Sequence, residues 1–455
     1  MELAHLPTEL LSHTLACSEL TPEDLAHADC VDIFHGPALT AALRLRAAAL
    51  GWPALPDATT QGMLWYECFR RNRKWHGRAS AGVNHSAFVH GESLKVAGED
   101  GDNPDDGEGP GVLGLSTSLD DDGDDQVRLL EAYTPVSVPA LSSIRIQSVA
   151  AAWGHTLAVS IYGSVFAWGK DYLGRLGLGD DLDFVSMPTQ LELPPVALVS
   201  ADECCSLAVT VSGALYTWGN GECGQLGHGD VCSYSRPKLV EALSNERVVS
   251  ASMNYMCAAI SAGGCYVWGL GENADFPGLL SSPGTIWSSP SLIQGLADGV
   301  RLVDVSGRLL LSDTGNVYRV VYDHTGPHPW PEDGTTPYVE QVANLEAERI
   351  IAIADGEACE IVITQRGEAL MLRSKSLNDS ESLTTQTMEA VRCVEPQRVF
   401  PGVQNVRAAD MSCCSLGVLI AEGGFYTFGH GNSHNNISCL GQGATPEVKI
   451  GRVAL

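Results

Sequence analysis

Six side chains recur at one place in a repeating pattern and could, by type, bind a borderline-soft metal: His85, His155, Cys205, Met256, Cys359 and, offset by one or two residues, Cys414. Four of them stand eight residues before a glycine, at Gly163, Gly213, Gly264 and Gly367. Imidazoles and thiolates hold zinc when three or four converge on one point. Here each belongs to a separate copy of the pattern and a methionine interrupts the series, so the expectation is packing at a strand start, with no metal and no cofactor. The run Asp120-Asp121-Asp122-Gly123-Asp124-Asp125 resembles part of a calcium loop. With Gly123 at position six, position twelve is Leu129, where a bidentate Glu is required, so an EF-hand is excluded. The chain has no P-loop, nucleophile elbow or H-E-x-x-H motif. No catalytic residue is assigned, and the chain is not expected to be an enzyme.

The pattern that carries these residues is an internal repeat. Gly163-Ser-Val-Phe-Ala-Trp168-Gly169 recurs as Gly213-Ala-Leu-Tyr-Thr-Trp218-Gly219 and, one residue shorter, as Gly264-Cys-Tyr-Val-Trp268-Gly269. A glycine-rich run follows the first two, Gly174-Arg-Leu-Gly177-Leu-Gly179 and Gly224-Gln-Leu-Gly227-His-Gly229, and then a proline, Pro188 and Pro237. Weaker copies begin at Gly315 and Gly367. Another contains Phe428-Gly429 with Pro446 behind it, and an earlier one runs from His85 to Gly114. Seven copies result. In each, a short apolar strand, a glycine turn and a second strand with an aromatic residue read as a β-hairpin. A unit of about 50 residues cannot bury both faces of its sheet alone, so neighbours must stack, and seven close a ring.

The strand ending in Tyr-x-Trp-Gly, the Gly-Gln-Leu-Gly-x-Gly run and the following proline resemble the regulator of chromosome condensation repeat, over roughly residues 80 to 455. The resemblance implies a mainly β, seven-bladed propeller with Trp168, Gly169, Trp218, Gly219, Trp268, Gly269, Phe428 and Gly429 as structural blade residues. It also implies a structural strand-start role for the His155 position. The fifth and sixth copies lack both the Trp-Gly pair and the glycine-rich run. The founding member of that family is an exchange factor for a Ran-like GTPase. The family also includes a plant UV-B receptor, whose repeated motif Trp153-Gly-His155-Thr156 resembles, once.

Charge and composition narrow the partners. The formal net charge is −28, and 11 of the 55 acidic residues fall between Glu99 and Asp125 with no Lys or Arg among them. Removing that span still leaves about −17, which disfavours nucleic acid as a partner. The span reads as a solvated insertion in the first blade. No stretch approaches the ~20 apolar residues that cross a bilayer, so no membrane partner is expected. The 14 cysteines include no C-x-x-C pair, and no secretory signal is evident. The chain is expected to be cytoplasmic, nuclear or both, with reduced thiols.

Residues 1–50 differ from the rest. Leu6-Pro7-Thr-Glu9-Leu10-Leu11 and the helix start Thr21-Pro22-Glu23-Asp24 open short amphipathic helices, forming a small all-α segment before the propeller. This segment resembles the F-box, with Leu6, Pro7, Leu10, Leu11, Leu15, Leu20, Leu25, Val31 and Phe34 at the matching positions, Phe34 replacing the usual Trp. Residues 51–78 read as a linker and basic helix, and 79–455 as the propeller. The resemblance implies docking to a Skp-type adaptor and a cullin ubiquitin ligase, with the propeller capturing an unknown protein substrate. The alternatives are an exchange factor for a Ran-like small GTPase and a propeller interaction scaffold.

Overall fold

The computed structural model describes residues 41–45, 77–99, 111–115, 131–179, 182–253, 256–261, 263–269, 287–297, 299–321, 338–345, 348–356, 359–374, 400, 402–411, 417–428, 450–453 and 455. Strands β1–β4 (Ala79–Ala81, His85–His90, Ser93–Glu99, Glu131–Ser137) form the first blade. The second is β5–β8 (Ile146–Ala151, His155–Ser160, Val165–Lys170, Phe184–Gln190) and the third β9–β12 (Val196–Ala201, Cys205–Thr210, Leu215–Gly219, Tyr234–Leu239). The fourth is β13–β16 (Ser250–Ser252, Met256–Ser261, Gly264–Gly269, Trp287–Leu292) and the fifth β17–β20 (Leu302–Ser306, Leu309–Ser312, Val317–Val321, Tyr338–Gln341). Among the described residues three strands, β21–β23 (Ile350–Asp355, Cys359–Thr364, Ala369–Ser374), make the sixth. The seventh is β24–β27 (Val406–Met411, Gly417–Ala421, Gly424–Phe428, Ile450–Arg452). Each sheet is an antiparallel meander in chain order, so the seven copies are the seven blades of a propeller.

Burial follows position in the blade. β6 and β10 are buried at every residue, because both their faces are covered by neighbouring blades. The outer strands β8 and β12 have no buried residue, each being half-buried or exposed. Pro188, Pro237 and Pro290 sit in these edge strands, where a missing N–H costs no ladder bond and blunts edge-to-edge pairing. The repeat proline is thus an edge device.

Apolar clusters span the seams between blades. Leu157, Val159 and Val165 of the second blade pack with Val196, Ala208 and Trp218 of the third. One cluster joins Phe88 and Ala79 of the first blade to Val406, Phe425 and Phe428 of the seventh and to Ile361 of the sixth. The Phe88 and Phe425 rings lie 5.5 Å apart. The ring is closed there by side chains.

Of the N-terminal helices expected from the sequence, the described part is one helical turn at 41–45, with Ala42 and Leu43 buried. Leu6, Pro7, Leu10, Leu11, Leu15, Leu20, Leu25, Val31 and Phe34 lie outside the described residues, as does Gly429. Gly111–Leu115, in the middle of the acidic span, is packed, with Val112 and Leu113 buried.

Candidate functional site

The Trp-Gly pair and the glycine-rich run meet across seams. The indole N–H of Trp168 donates to the Val112 carbonyl at 2.9 Å, that of Trp218 to Arg175 at 2.9 Å, and that of Trp268 to Gln225 at 2.8 Å. Each acceptor belongs to the blade before. A Cβ on Gly114, Gly177 or Gly227 would stand 2.7–2.9 Å from the same indole nitrogen, so only glycine lets the loop lie on the ring. Gly169, Gly219 and Gly269 have φ near +100° beside a bulge in the ladder to the outer strand, a backbone that favours glycine.

The histidines join the same lock. His85 Nε2 lies 2.6 Å from Thr156 Oγ1, which donates to the Val112 carbonyl; His155 Nε2 lies 2.8 Å from Ser206 Oγ, which donates to the Arg175 carbonyl. Because each hydroxyl spends its proton on a carbonyl, each imidazole must be the Nε2–H donor. Burial pushes His85 down to about 3 and His155 well below its usual range, so both are neutral. The bond that holds this position is therefore between blades. Among the described residues no three His, Cys, Asp or Glu side chains are grouped to hold a metal. Burial also raises the Cys204 and Cys265 thiols to about 12, away from thiolate chemistry.

Two devices had no counterpart in the sequence reading. The first is a stitch around the channel. Ser80, Ser200, Ser252 and Ser306 occupy one register position on the inner strands of the first, third, fourth and fifth blades, and each accepts a backbone N–H from the next blade, at Ala151, Met253, Gly307 and Asp355. Asp410 fills that position in the seventh blade and accepts from Ala81 N–H at 3.1 Å and from the Ser80 hydroxyl at 2.9 Å. Ala150 and Ala354 fill it in the second and sixth blades. The second device replaces the tryptophan lock where the fifth and sixth blades lack it. Glu360, with no exposed surface, accepts from Arg319 Nε at 3.0 Å and from its Nη2, with Arg308 Nη2 at 3.8 Å. Glu360 stands where Ser206 and Thr156 stand in earlier blades, so a charge in an otherwise hydroxyl position was the available signal.

The inner strands surround a central channel of about 290 Å³, bordered by residues of all seven blades. Its acidic members are Asp202, Asp304, Asp355 and Asp410. Asp304 accepts the Ser250 hydroxyl at 2.8 Å. Asp355 Oδ2 accepts the Arg308 backbone N–H at 2.8 Å, while its Oδ1 is buried without a partner among the described residues, as are Ser148 Oγ and Trp153 Nε1. Burial raises both Asp355 and Asp410, the latter to about 6. On the face where the inner strands begin, five of seven blades place an arginine shortly before the inner strand: Arg78, Arg145, Arg247, Arg301 and Arg349. The stems of Arg247 and Arg349 cover Gly213 and Gly315 of the preceding blade. Arg145 is held by Glu92 at 2.5 Å and 2.8 Å. The two faces thus differ, with aspartates bordering the channel and, on the face where the inner strands begin, a series of arginines of which Arg78 borders it.

Residues 162–208 and 212–259 match the regulator of chromosome condensation (RCC1) repeat. The ultraviolet-B receptor UVR8 of Arabidopsis thaliana is 43% identical over 53 residues, 12% of this chain and 12% of the receptor. Protein RCC2 of Homo sapiens is 44% identical over 57 residues, 12% of this chain and 11% of RCC2. These matches span a small part of either relative. The structure of Prp20p from Saccharomyces cerevisiae superposes with a TM-score of 0.56 at 20% identity, covering 81% of this chain and 88% of Prp20p. The chain is a seven-bladed β-propeller that carries RCC1 repeats.

Proposed function

We propose that the propeller is a protein-interaction module, and that its partner is a small GTPase of the Ran type whose nucleotide exchange it regulates. The observation that carries this reading is the RCC1-type lock, repeated across successive seams of a closed ring. The neutral histidines and the hydroxyls of that lock are committed to holding blades together. Prp20p, similar in fold, is described with binding to Gsp1p. Exchange needs no covalent step: a protein that binds the nucleotide-free GTPase more tightly than the loaded one accelerates release by that difference. The test is release of a fluorescent GDP analogue from a Ran-type GTPase, with and without the full chain. Acceleration of about tenfold or more supports the reading. A complex without acceleration leaves the module but removes the exchange role, and no complex removes both.

The N-terminal pattern supports a second reading, a substrate receptor of a Skp–cullin–F-box ligase. It rests on the leucine-rich sequence from Leu6 to Phe34. A Skp-type adaptor should then be retained by the full chain. Replacing Leu10 and Leu11 by Ala should weaken binding about a hundredfold, since each buried leucine contributes about 1.5–3 kcal/mol. No retention by the wild-type chain removes this reading without touching the first.

A further inference from the structure

The channel aspartates and the acidic loops share one face for a topological reason. First and third strands run from the arginine-bearing face to the opposite one, so every first-to-second turn and third-to-fourth connection leaves there. That face carries Asp171, Asp183, Asp202, Glu203, Glu222 and Asp230. The third strand of the first blade ends there at Glu99 and the fourth begins there at Glu131. Arg175, also on this side, is buried and turned inward, its guanidinium donating to the Lys170 and Glu203 carbonyls at 2.7 Å each.

Asp355 is where this charge meets the cavity. Its side chain is 5% exposed, and Arg308 engages Oδ2 from the backbone N–H at 2.8 Å and from Nε at 3.4 Å. Oδ1 has no donor. A buried carboxylate oxygen without a donor is costly until one arrives. The other unpartnered channel groups are of mixed kind: Ser148 Oγ accepts as well as donates, and the Trp153 indole N–H only donates. A bare cation could serve Asp355 but not Trp153. A peptide offers both an ammonium donor and backbone carbonyl acceptors, and about 290 Å³ admits an extended alkylammonium side chain.

We propose that the acidic face binds a lysine-bearing peptide segment of a protein partner, one lysine entering the channel mouth to donate to Asp355 Oδ1 while the segment's carbonyls accept from Trp153. This rests on the propeller being an interaction module, not on the GTPase being its partner. The probe is an acetyl-capped peptide of alternating glycine and lysine, titrated calorimetrically into the full chain at low salt, beside the same peptide with acetylated lysines. Acetylation should weaken binding about tenfold or more, because it removes the charge. Asp355→Asn, which keeps an acceptor for Arg308, should also weaken it about tenfold, while Glu422→Gln on the opposite face changes it less than about twofold. If Asp355→Asn fails to fold by circular dichroism, Ala409→Lys sets an amine of the protein's own in the channel with Asp355 untouched, and should abolish binding. Equal loss in Glu422→Gln, or no loss in either channel variant, means diffuse surface attraction and overturns the proposal. No binding by the wild-type chain overturns it too, and leaves the exchange assay to decide the GTPase reading separately.

Discussion

Asp410 Oδ2 accepts the Ser80 hydroxyl at 2.9 Å, joining residues 330 apart in the chain at the seam where the ring closes. The same oxygen accepts Ala81 N–H, and Met411 N–H also bonds the carboxylate. Despite these donors, burial dominates and lifts the carboxyl from 3.8 to about 6. A stitch that elsewhere uses a neutral serine here uses a group that titrates.

The sign of its pH dependence follows. A carboxyl raised on folding favours the folded state in its protonated form. Its contribution is fully present below about pH 4 and is lost as pH rises through about 6. Asp410→Asn keeps an acceptor for Ser80 and Ala81 without the charge. It should stabilise the protein above pH 6, by at most about 3 kcal/mol for a two-unit shift, and change little below pH 4. Urea unfolding of both proteins from pH 4 to 8 gives the difference curve. His85, lowered to about 3, acts in the opposite direction, losing its contribution as pH falls below 6.5, and cancels in that difference. A flat difference would mean Asp410 titrates normally.

Trp218 is fully buried, and its indole bonds the Arg175 carbonyl. Trp218→Ala should cost about 3–5 kcal/mol. Trp218→Phe should cost nearer about 1 kcal/mol, since Ser206 still donates to the same carbonyl. Gly177→Ala, at φ +77° and with its Cβ 2.7 Å from the indole nitrogen, should cost more than the Phe variant. Thermal unfolding of the three variants checks the order. An alanine at 177 that is tolerated would mean the loop does not lie on the ring.

These seams explain what was legible in the sequence. An indole that must reach one carbonyl, and a glycine that must lie flat on the indole, admit a single residue type each at fixed spacing, so Trp168, Trp218 and Trp268 announce their blades. The fifth and sixth blades were faint because their seam is ionic, and Arg319 with Glu360 can be met by many pairs of types at many spacings. The Ser80 and Asp410 stitch was invisible because its partners are 330 residues apart in the chain and serine is common everywhere. The difference between the two faces needed strand directions before Arg78, Arg145, Arg247, Arg301 and Arg349 could be seen to share one of them.

The ionic seam makes its own prediction. Glu360 is wholly buried between Arg319 and Arg308. Glu360→Gln leaves two guanidinium groups facing a neutral amide, and should cost about 3–5 kcal/mol. Replacing both Arg319 and Glu360 by Met should cost clearly less than the sum of the two single changes, because no unpaired charge is left from that pair. Equilibrium unfolding of the two single variants and the double variant closes the cycle. Strict additivity would show that the pair does not hold the fifth blade to the sixth.

The stitch can be tested by extending it. Ser200 accepts Met253 N–H at 3.2 Å across the seam of the third and fourth blades. Ser200→Ala should cost about 1 kcal/mol, the typical net value of one such bond. Ala150 holds the same register position in the second blade, facing the third, where the bond is missing because the side chain has no oxygen. Ala150→Ser adds one hydroxyl at a 7% exposed site, with Ala201 N–H at the place its counterparts bond. It should stabilise the ring by up to about 1 kcal/mol, whereas a buried hydroxyl that finds no partner would cost about 1–3 kcal/mol. The two outcomes differ in sign, so one melting curve decides between them. Loss of stability in Ala150→Ser would show that the stitches are local accommodations of particular seams and not a position the whole ring can share.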